Sequence, residues 1–303
     1  MHGADPRLVL GLHRSGHRRD ILTAALDLGV HDLDTAAPYH GHRSHQTLAQ
    51  CAGDLLPKFS ISTKVGYFPG IGHSLDPVRL RRGVELAVQD LGREPDLVFL
   101  HNPEQSLTGG SPGRLADRLA AACDVLEAAA EQGLCRTWGV SSWDPRPLAA
   151  IDLSGLPRPE TLMVRAGLLV GVEILDATQA VRKSWKPTTA WGMSPFGGST
   201  ARLVWEMFDA RPFLQGPRDG HTRTQAAFRI AFRVPVVDAV AVTTDNPVHL
   251  RELTEALHFN VDEQSADRYL RHLRQPQRQG CRSFTIRAAS RRAGISRGSS
   301  WYA

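Results

Sequence analysis

Apolar positions along the chain fall into two alternating textures. Short, nearly continuous apolar runs, as expected of strands covered on both faces, alternate with longer stretches whose apolar residues recur every third or fourth position, as expected of amphipathic helices. The first such pair is the run Arg7–His13 followed by Arg18–Leu28, where Ile21, Leu22, Ala25 and Leu26 share one face and Gly29 ends it. The pattern then predicts strand Val30–Thr35 with helix Ser44–Leu55, strand Phe59–Val65 with helix Asp76–Leu91, and strand Asp96–His101 with helix Leu115–Gln132. Asp76-Pro77 and Gly92 bracket the third helix with a start and a stop signal. Four further units are legible: Arg136–Ser141 with Pro145–Ile151, Thr161–Ala166 with Ile174–Arg182, Thr188–Trp191 with Ala201–Phe208, and Val236–Val242 with Pro247–Leu257.

Eight strand–helix units in about 250 residues have the size and rhythm of a closed (β/α)8 TIM barrel. A doubly wound open sheet is the rival, but no Gly-x-Gly-x-x-Gly turn follows the first strand. Residues 102–114 and 209–224 read as surface loops, a helical stretch covers Thr222–Arg233, and one more helix is expected over Asp262–Leu273. The expected organisation is a barrel over 1–259 that carries the catalytic and cofactor sites, then a C-terminal helix and a basic, flexible tail over 260–303.

Charge sharpens the boundary. Residues 271–303 hold eight arginines and no acid; removing them from the 36 basic residues leaves 28 against 31 acids, so the body is slightly acidic although the whole chain is +5. Without a recognition fold, the tail reads as a solvated end rather than a nucleic-acid site. Lysine is scarce: only Lys58, Lys64, Lys183 and Lys186 occur. A lysine at a strand end is therefore less readily explained as surface filler. Cys51, Cys123, Cys135 and Cys281 are widely spaced, which argues against a disulfide framework or a zinc knuckle. No apolar run reaches the roughly 18 residues that span a bilayer, and the N-terminus lacks a secretion pattern, so the expectation is a cytoplasmic protein, monomeric or weakly homo-oligomeric.

Asp34, Lys64 and His101 end predicted parallel strands, and Tyr39 lies in the loop just after one, so a barrel turns all four to the same mouth. Together they suit proton donation to a carbonyl oxygen while hydride arrives at carbon. A phenol with a pKa near about 10 needs a neighbouring cation to favour its ionised form, which Lys64, anchored by Asp34, can supply. His101 as a neutral donor can orient the carbonyl oxygen.

These residues resemble the aldo-keto reductase superfamily, whose pattern is an Asp-Thr-Ala run with a tyrosine soon after, a lysine ending the third strand and a histidine ending the fourth. Here these are Asp34-Thr35-Ala36 with Tyr39, Ser62-Thr63-Lys64 and Leu100-His101-Asn102-Pro103. The similarity extends through Trp138-Gly139-Val140-Ser141-Ser142 and Ser194-Pro195-Phe196-Gly197-Gly198 to Val236–Leu257. It implies reduction of an aldehyde or ketone by NADPH, with NADH as the second choice, acting on a small carbonyl or sugar-like substrate. It also implies Tyr39 as general acid, Lys64 as its modulator, Asp34 as anchor and His101 as orienter.

The same resemblance carries the cofactor over to particular positions. Ser141 and Ser142 would meet the carboxamide, Met163 stands where a glutamine often does, and Met193 stands where an aromatic ring often stacks. Ser194, Pro195, Phe196 and Gly197 would line the pyrophosphate. Thr243, Thr244 and His249 match a segment that usually supplies a cation to the 2′-phosphate. His13, Tyr67, Phe68, Asn102 and Trp143 are expected to face substrate. The imidazoles of His40, His42 and His45 invite a metal reading, but no cysteine or carboxylate accompanies them, so no metal is expected. Two further classes remain: a nucleotide-binding regulatory protein of the same fold, and a non-redox barrel enzyme using Lys64 as a Schiff base.

Overall fold

The computed structural model describes residues 5–275; expectations placed on 276–303, including Cys281 and the aromatic pair Trp301-Tyr302, lie outside the described residues. The strands are β1 (Arg7–Gly11), β2 (Asp32–Asp34), β3 (Ser60–Val65), β4 (Tyr67–Phe68), β5 (Gly72–His73), β6 (Leu97–His101), β7 (Thr137–Ser142), β8 (Thr161–Arg165), β9 (Thr189–Met193) and β10 (Ala239–Val242). The helices are α1 (Arg19–Asp27), α2 (Tyr39–His42), α3 (Ser44–Ala52), α4 (Pro77–Leu91), α5 (Pro112–Glu131), α6 (Arg146–Ala149), α7 (Val172–Trp185), α8 (Val204–Met207), α9 (Arg223–Ala231), α10 (Pro247–Ala256) and α11 (Glu263–Arg274). Eight strands close in the order β1-β10-β9-β8-β7-β6-β3-β2, all parallel, as a (β/α)8 TIM barrel, while β4 and β5 form a separate antiparallel hairpin.

Alternation along parallel strands sorts their side chains. One set packs inside the barrel, with Val9, Leu97, Phe99, Met163, Trp191, Ala239 and Ala241 in one cluster; the other packs outward under the helices. The base is closed by the Arg7–Asp32 ion pair at 2.8 Å, with the Arg7 guanidinium 6.0 Å from the Trp191 ring. Gly139 leaves room for the Phe99 ring, since a Cβ there would lie 2.9 Å from it and 2.5 Å from the Thr161 carbonyl. The interior is thus filled from the base upward, and chemistry is confined to the mouth.

Several elements differ from their sequence expectation for local reasons. The helix layer beside β9 and β10 is built by α9, which buries Ala226, Phe228 and Ile230, whereas the helix expected over Ala201–Phe208 is the single turn α8. A complete capping box between Thr222 and Gln225 starts α9; α8 has no side-chain cap. Helix α5 begins at Pro112, one turn earlier than its apolar period indicates, because proline is well accommodated in a first turn. Residues 66–75 hold the β4–β5 hairpin. The start and stop signals of α4 act as expected: the Asp76 carboxylate accepts from Arg79 N at 2.9 Å and Gly92 is left-handed at φ 69°. Helix α11 is anchored through the Tyr269 hydroxyl, which donates to the Leu168 carbonyl. Among the described residues no helix is long and apolar enough to cross a membrane.

Candidate active site

The inward positions at or beside the strand ends are Asp34, Lys64, His101, Ser141, Arg165 and Met193. The backbone after β2 continues along β3, with Thr35 N donating to the Ser62 carbonyl at 2.9 Å and Ala37 N to the Lys64 carbonyl at 3.3 Å. This lays Tyr39 over Lys64. Left-handed φ angles at His40, Gly41 and His42 then turn the chain into α3.

Lys64 is 2% exposed, and its three ammonium protons are all placed: Nζ donates to Asp34 Oδ2 at 2.5 Å, to the Thr35 carbonyl at 2.9 Å and to the Tyr39 hydroxyl at 3.3 Å. The second oxygen of Asp34 accepts from Ser62 Oγ at 2.8 Å. Burial alone pulls the ammonium pKa down, but the charge of Asp34, the nearby Tyr39 and their hydrogen bonds more than offset it and raise the pKa. Lys64 is therefore held charged.

The phenol departs from expectation. Burial penalises the phenolate more than Lys64 favours it, so the Tyr39 pKa lies above its ordinary value of 10.0 rather than below it. Tyr39 is therefore protonated at neutral pH, with the Lys64 charge beside its hydroxyl. The His101 imidazole is kept neutral by burial first and by the Lys64 charge second, well below its ordinary 6.5. Its Nδ1 has no partner. Tyr39 lies between two imidazoles, with His13 at 5.0 Å and His101 at 6.5 Å between ring centroids.

Other expected site residues separate into three groups. Tyr67 packs 4.8 Å from the His101 ring, Asn102 Nδ2 reaches the Tyr67 hydroxyl at 3.5 Å, and Asn102 Oδ1 accepts from Trp143 N at 3.1 Å, so these line one rim with His13. Ser141 Oγ and Ser194 Oγ are buried without partners, Met193 is half-buried, and the exposed Thr243 and His249 and half-buried Thr244 lie on the loop after β10 and the start of α10. The third group turns away. Phe68 packs on the outer core under α4, Met163 is fully buried in the barrel interior, and Phe196 packs against Trp205 with Pro195 buried beside it. Ser142 is 0% exposed and its Oγ donates to Glu104 Oε2 at 3.0 Å, so its hydroxyl is already engaged. The three loop imidazoles also diverge: His40 and His42 are exposed, whereas His45 is buried against Thr63 Oγ1 at 2.7 Å and pushed down to about 4 by burial.

Three contributors lay outside the sequence reading. His73, on the hairpin, approaches the His101 carbonyl through Nε2 at 2.8 Å and Ser106 Oγ through Nδ1 at 2.7 Å, tying the Tyr67 wall to the strand that carries His101. Arg165 ends β8, and its signal was a lone charge closing an apolar run. Glu104 is 5% exposed and accepts from Trp143 N at 2.7 Å, Asp144 N at 2.9 Å and Ser142 Oγ. It joins the loop after β6 to the loop after β7.

Burial outweighs those hydrogen bonds and pushes the Glu104 carboxyl up to about 7. A folded pKa above the ordinary 4.5 makes a contribution to stability that is full below about 4.5 and lost as pH rises through 7. Glu104→Gln keeps the acceptor for both amides and cannot ionise. Urea unfolding is expected to give nearly matching stabilities near pH 4.5, with the variant ahead by about 3–4 kcal/mol at pH 8–9, at ~1.4 kcal/mol per unit. Parallel pH–stability curves for the two proteins would reject this account.

Similar solved structures include a holo-form aldo-keto reductase from Bacillus halodurans, 18% identical with a TM-score of 0.69 and covering 90% of this chain and 93% of that one. An aldo/keto reductase from Klebsiella pneumoniae in complex with NADP and acetate is 20% identical, with a TM-score of 0.67 and coverage of 91% and 94%. Aldose reductase from Giardia lamblia is 18% identical, with a TM-score of 0.64 and coverage of 89% and 92%. At these identities the likeness is one of fold. Curated proteins give no match. The sequence model of the aldo/keto reductase family matches residues 9–179, more than half of the 303, and the chain belongs to that family.

Proposed function

We propose that the protein reduces an aldehyde or ketone to an alcohol, or runs the reverse oxidation, with Tyr39 as general acid or base and NADPH as hydride carrier. The observation that carries this reading is the buried relay from Asp34 through Lys64 to the Tyr39 hydroxyl at the barrel mouth. The mouth suits a nicotinamide dinucleotide: Ser141 Oγ and Ser194 Oγ are buried and unpartnered, and the main chain at Gly198 has open space where a side chain would stand. Structures of Klebsiella pneumoniae aldo-keto reductases, similar in fold, hold NADP and NADPH. When bound, the dinucleotide supplies the hydride.

Tyr39 gives its proton to the carbonyl oxygen, and the phenolate that forms is met by the fixed Lys64 ammonium. His101, neutral and without an acceptor at Nδ1, keeps its proton on Nε2, where it can donate to the same oxygen. Asp34 keeps Lys64 charged and in place. A Schiff-base role for Lys64 fits poorly, since it needs a neutral amine with a free lone pair. The substrate class is a small carbonyl or sugar-like compound, and the protein is assigned to the cytoplasm as a monomer or weak homo-oligomer.

NADH is the second reading, favoured by one observation. Residues 243–249 contain no lysine or arginine, while Asp245 brings a carboxylate there, bonded to Ser15 Oγ at 2.6 Å and Gly16 N at 2.8 Å. Separate titrations with NADPH and NADH by nicotinamide fluorescence, followed by turnover with a panel of aldehydes, test the proposal. Saturable binding of at least one and its oxidation by an aldehyde is expected. Binding without turnover would leave a nucleotide-binding regulator, and neither would end the proposal.

A further inference from the structure

We propose that Arg165 is an anion-recognition residue at the barrel mouth, so that the carbonyl substrate carries a carboxylate or phosphate group which this guanidinium meets. The inference rests on the reductase reading above for the carbonyl, and on independent geometry for the anion. Strand β8 alternates, and Met163 lies in the interior cluster beside Phe99 and Trp191. Two residues on, Arg165 faces the same way, one layer higher, next to Met193 in the β9 register. Its guanidinium lies 5.2 Å from the Trp143 ring, which is 43% exposed. From Trp143 the rim runs through Asn102 and Tyr67 to the ring of His101. The guanidinium and the carbonyl-orienting imidazole therefore belong to one continuous wall.

Among the described residues Arg165 has no carboxylate at ion-pair distance; Asp144 and Glu104 favour its charge only from farther off. Several other arginines are paired: Arg146 meets Asp144 at 2.6 Å and Glu173 at 2.9 Å, Arg211 meets Asp209, and Arg233 meets Glu263 and Asp267, while Arg182, Arg202, Arg223 and Arg229 donate to carbonyls. Among the described residues none forms an ion pair with Arg165, and its Nε is buried with no hydrogen-bond partner. A half-buried guanidinium stays charged, and stacking on an indole compensates only part of its lost hydration. Its planar fork is matched by a two-oxygen acceptor, as carboxylates and phosphates provide.

Room for such a group is present. A cavity of about 350 Å³ is lined by Arg146, Arg165, Gly171, Val172, Glu173 and Ile174. Arg146 and Glu173 pair with one another in its wall, which leaves Arg165 as the lining charge without an ion-pair contact. A substrate with its carbonyl at Tyr39 and His101 and its anionic group on Arg165 would bridge the two ends of the rim.

The test compares kcat/KM for neutral and anionic partners of matched size: butanal against 4-oxobutanoate, and glyceraldehyde against glyceraldehyde 3-phosphate. In the unaltered protein at least one anionic partner is expected to be preferred by roughly 10- to 100-fold, as for hydrogen bonds to a charged group, and the pair that shows it identifies the anion. The preference should fall to about onefold in Arg165→Met and return in part in Arg165→Lys. No preference in either pair, or one untouched in Arg165→Met, would overturn the proposal. So would an equal loss on all substrates together with weaker NADPH binding, which would give the arginine to the cofactor. A second readout does not need turnover: quenching of Trp143 by succinate and by inorganic phosphate, with Trp143→Phe as control. If no aldehyde is reduced, a saturable signal abolished in Arg165→Met keeps the anion site while the reductase reading falls; absence of any signal removes the anion site.

Discussion

Replacing Tyr39 by phenylalanine is expected to lower kcat by about 10²- to 10⁴-fold, the usual contribution of a positioned general acid. The phenol hydroxyl receives one protein hydrogen bond, from Lys64 at 3.3 Å, a long contact whose loss removes little stability. The ring keeps its place between His13 and His101 and over the Lys64 ammonium, 5.0 Å from the ring centroid. Thermal unfolding and the dissociation constant for NADPH should therefore stay close to those of the unaltered protein while the chemical step fails. Single-turnover measurement at saturating cofactor separates the step from binding. Full activity in Tyr39→Phe would remove the proton-transfer role and leave the relay a purely structural ion pair.

Asp34→Ala is expected to cost more in stability than in any other respect, about 3–5 kcal/mol, because it strands a charged ammonium that is 2% exposed. Three consequences belong to it. The Ser62 hydroxyl loses its shorter acceptor and keeps the Leu33 carbonyl at 3.2 Å, the Lys64 ammonium loses the carboxylate that offset burial, and the Lys64 pKa falls. With the cation neutralised at lower pH, the alkaline limb of the kcat profile should move down in any folded fraction. The double variant Asp34→Leu with Lys64→Met separates the two roles: removing both charges should recover most of the lost stability, since well-packed apolar replacements of buried pairs are often neutral, yet activity should remain at the level of the single variant or below. Denaturant unfolding together with pH–rate profiles checks both. Recovery of activity along with stability in the double variant would mean that the Lys64 charge plays no part in the reaction.

The relay was legible in the sequence because each member sits where a parallel barrel must present it. Asp34 and His101 close their strands, and Lys64 is one residue from the end of β3. With a period of two along each strand and a common direction for all eight, strand ends converge on one mouth whatever the loops do. The cofactor-facing positions were less legible for the same reason inverted. Ser142 ends β7 but its hydroxyl is taken by Glu104, and Met163 lies in mid-β8, enclosed beneath the mouth. Phe68 turns outward because in the short hairpin it faces opposite Tyr67.

By itself the sequence determined the closed parallel barrel, its eight barrel strands, and the convergence of Asp34, Tyr39, Lys64 and His101, since these follow from local periodicity and a common strand direction. Tertiary structure alone decided how the groups are charged and which remain available. Whether burial or Lys64 wins at the Tyr39 hydroxyl is a balance of desolvation against a contact across 25 residues of sequence. Glu104 reaches Ser142 across 38 residues, and Asp144 and Glu173 make their ion-pair contacts with Arg146 while Arg165 makes none. Such outcomes depend on through-space distances between loops, which neither apolar period nor composition encodes.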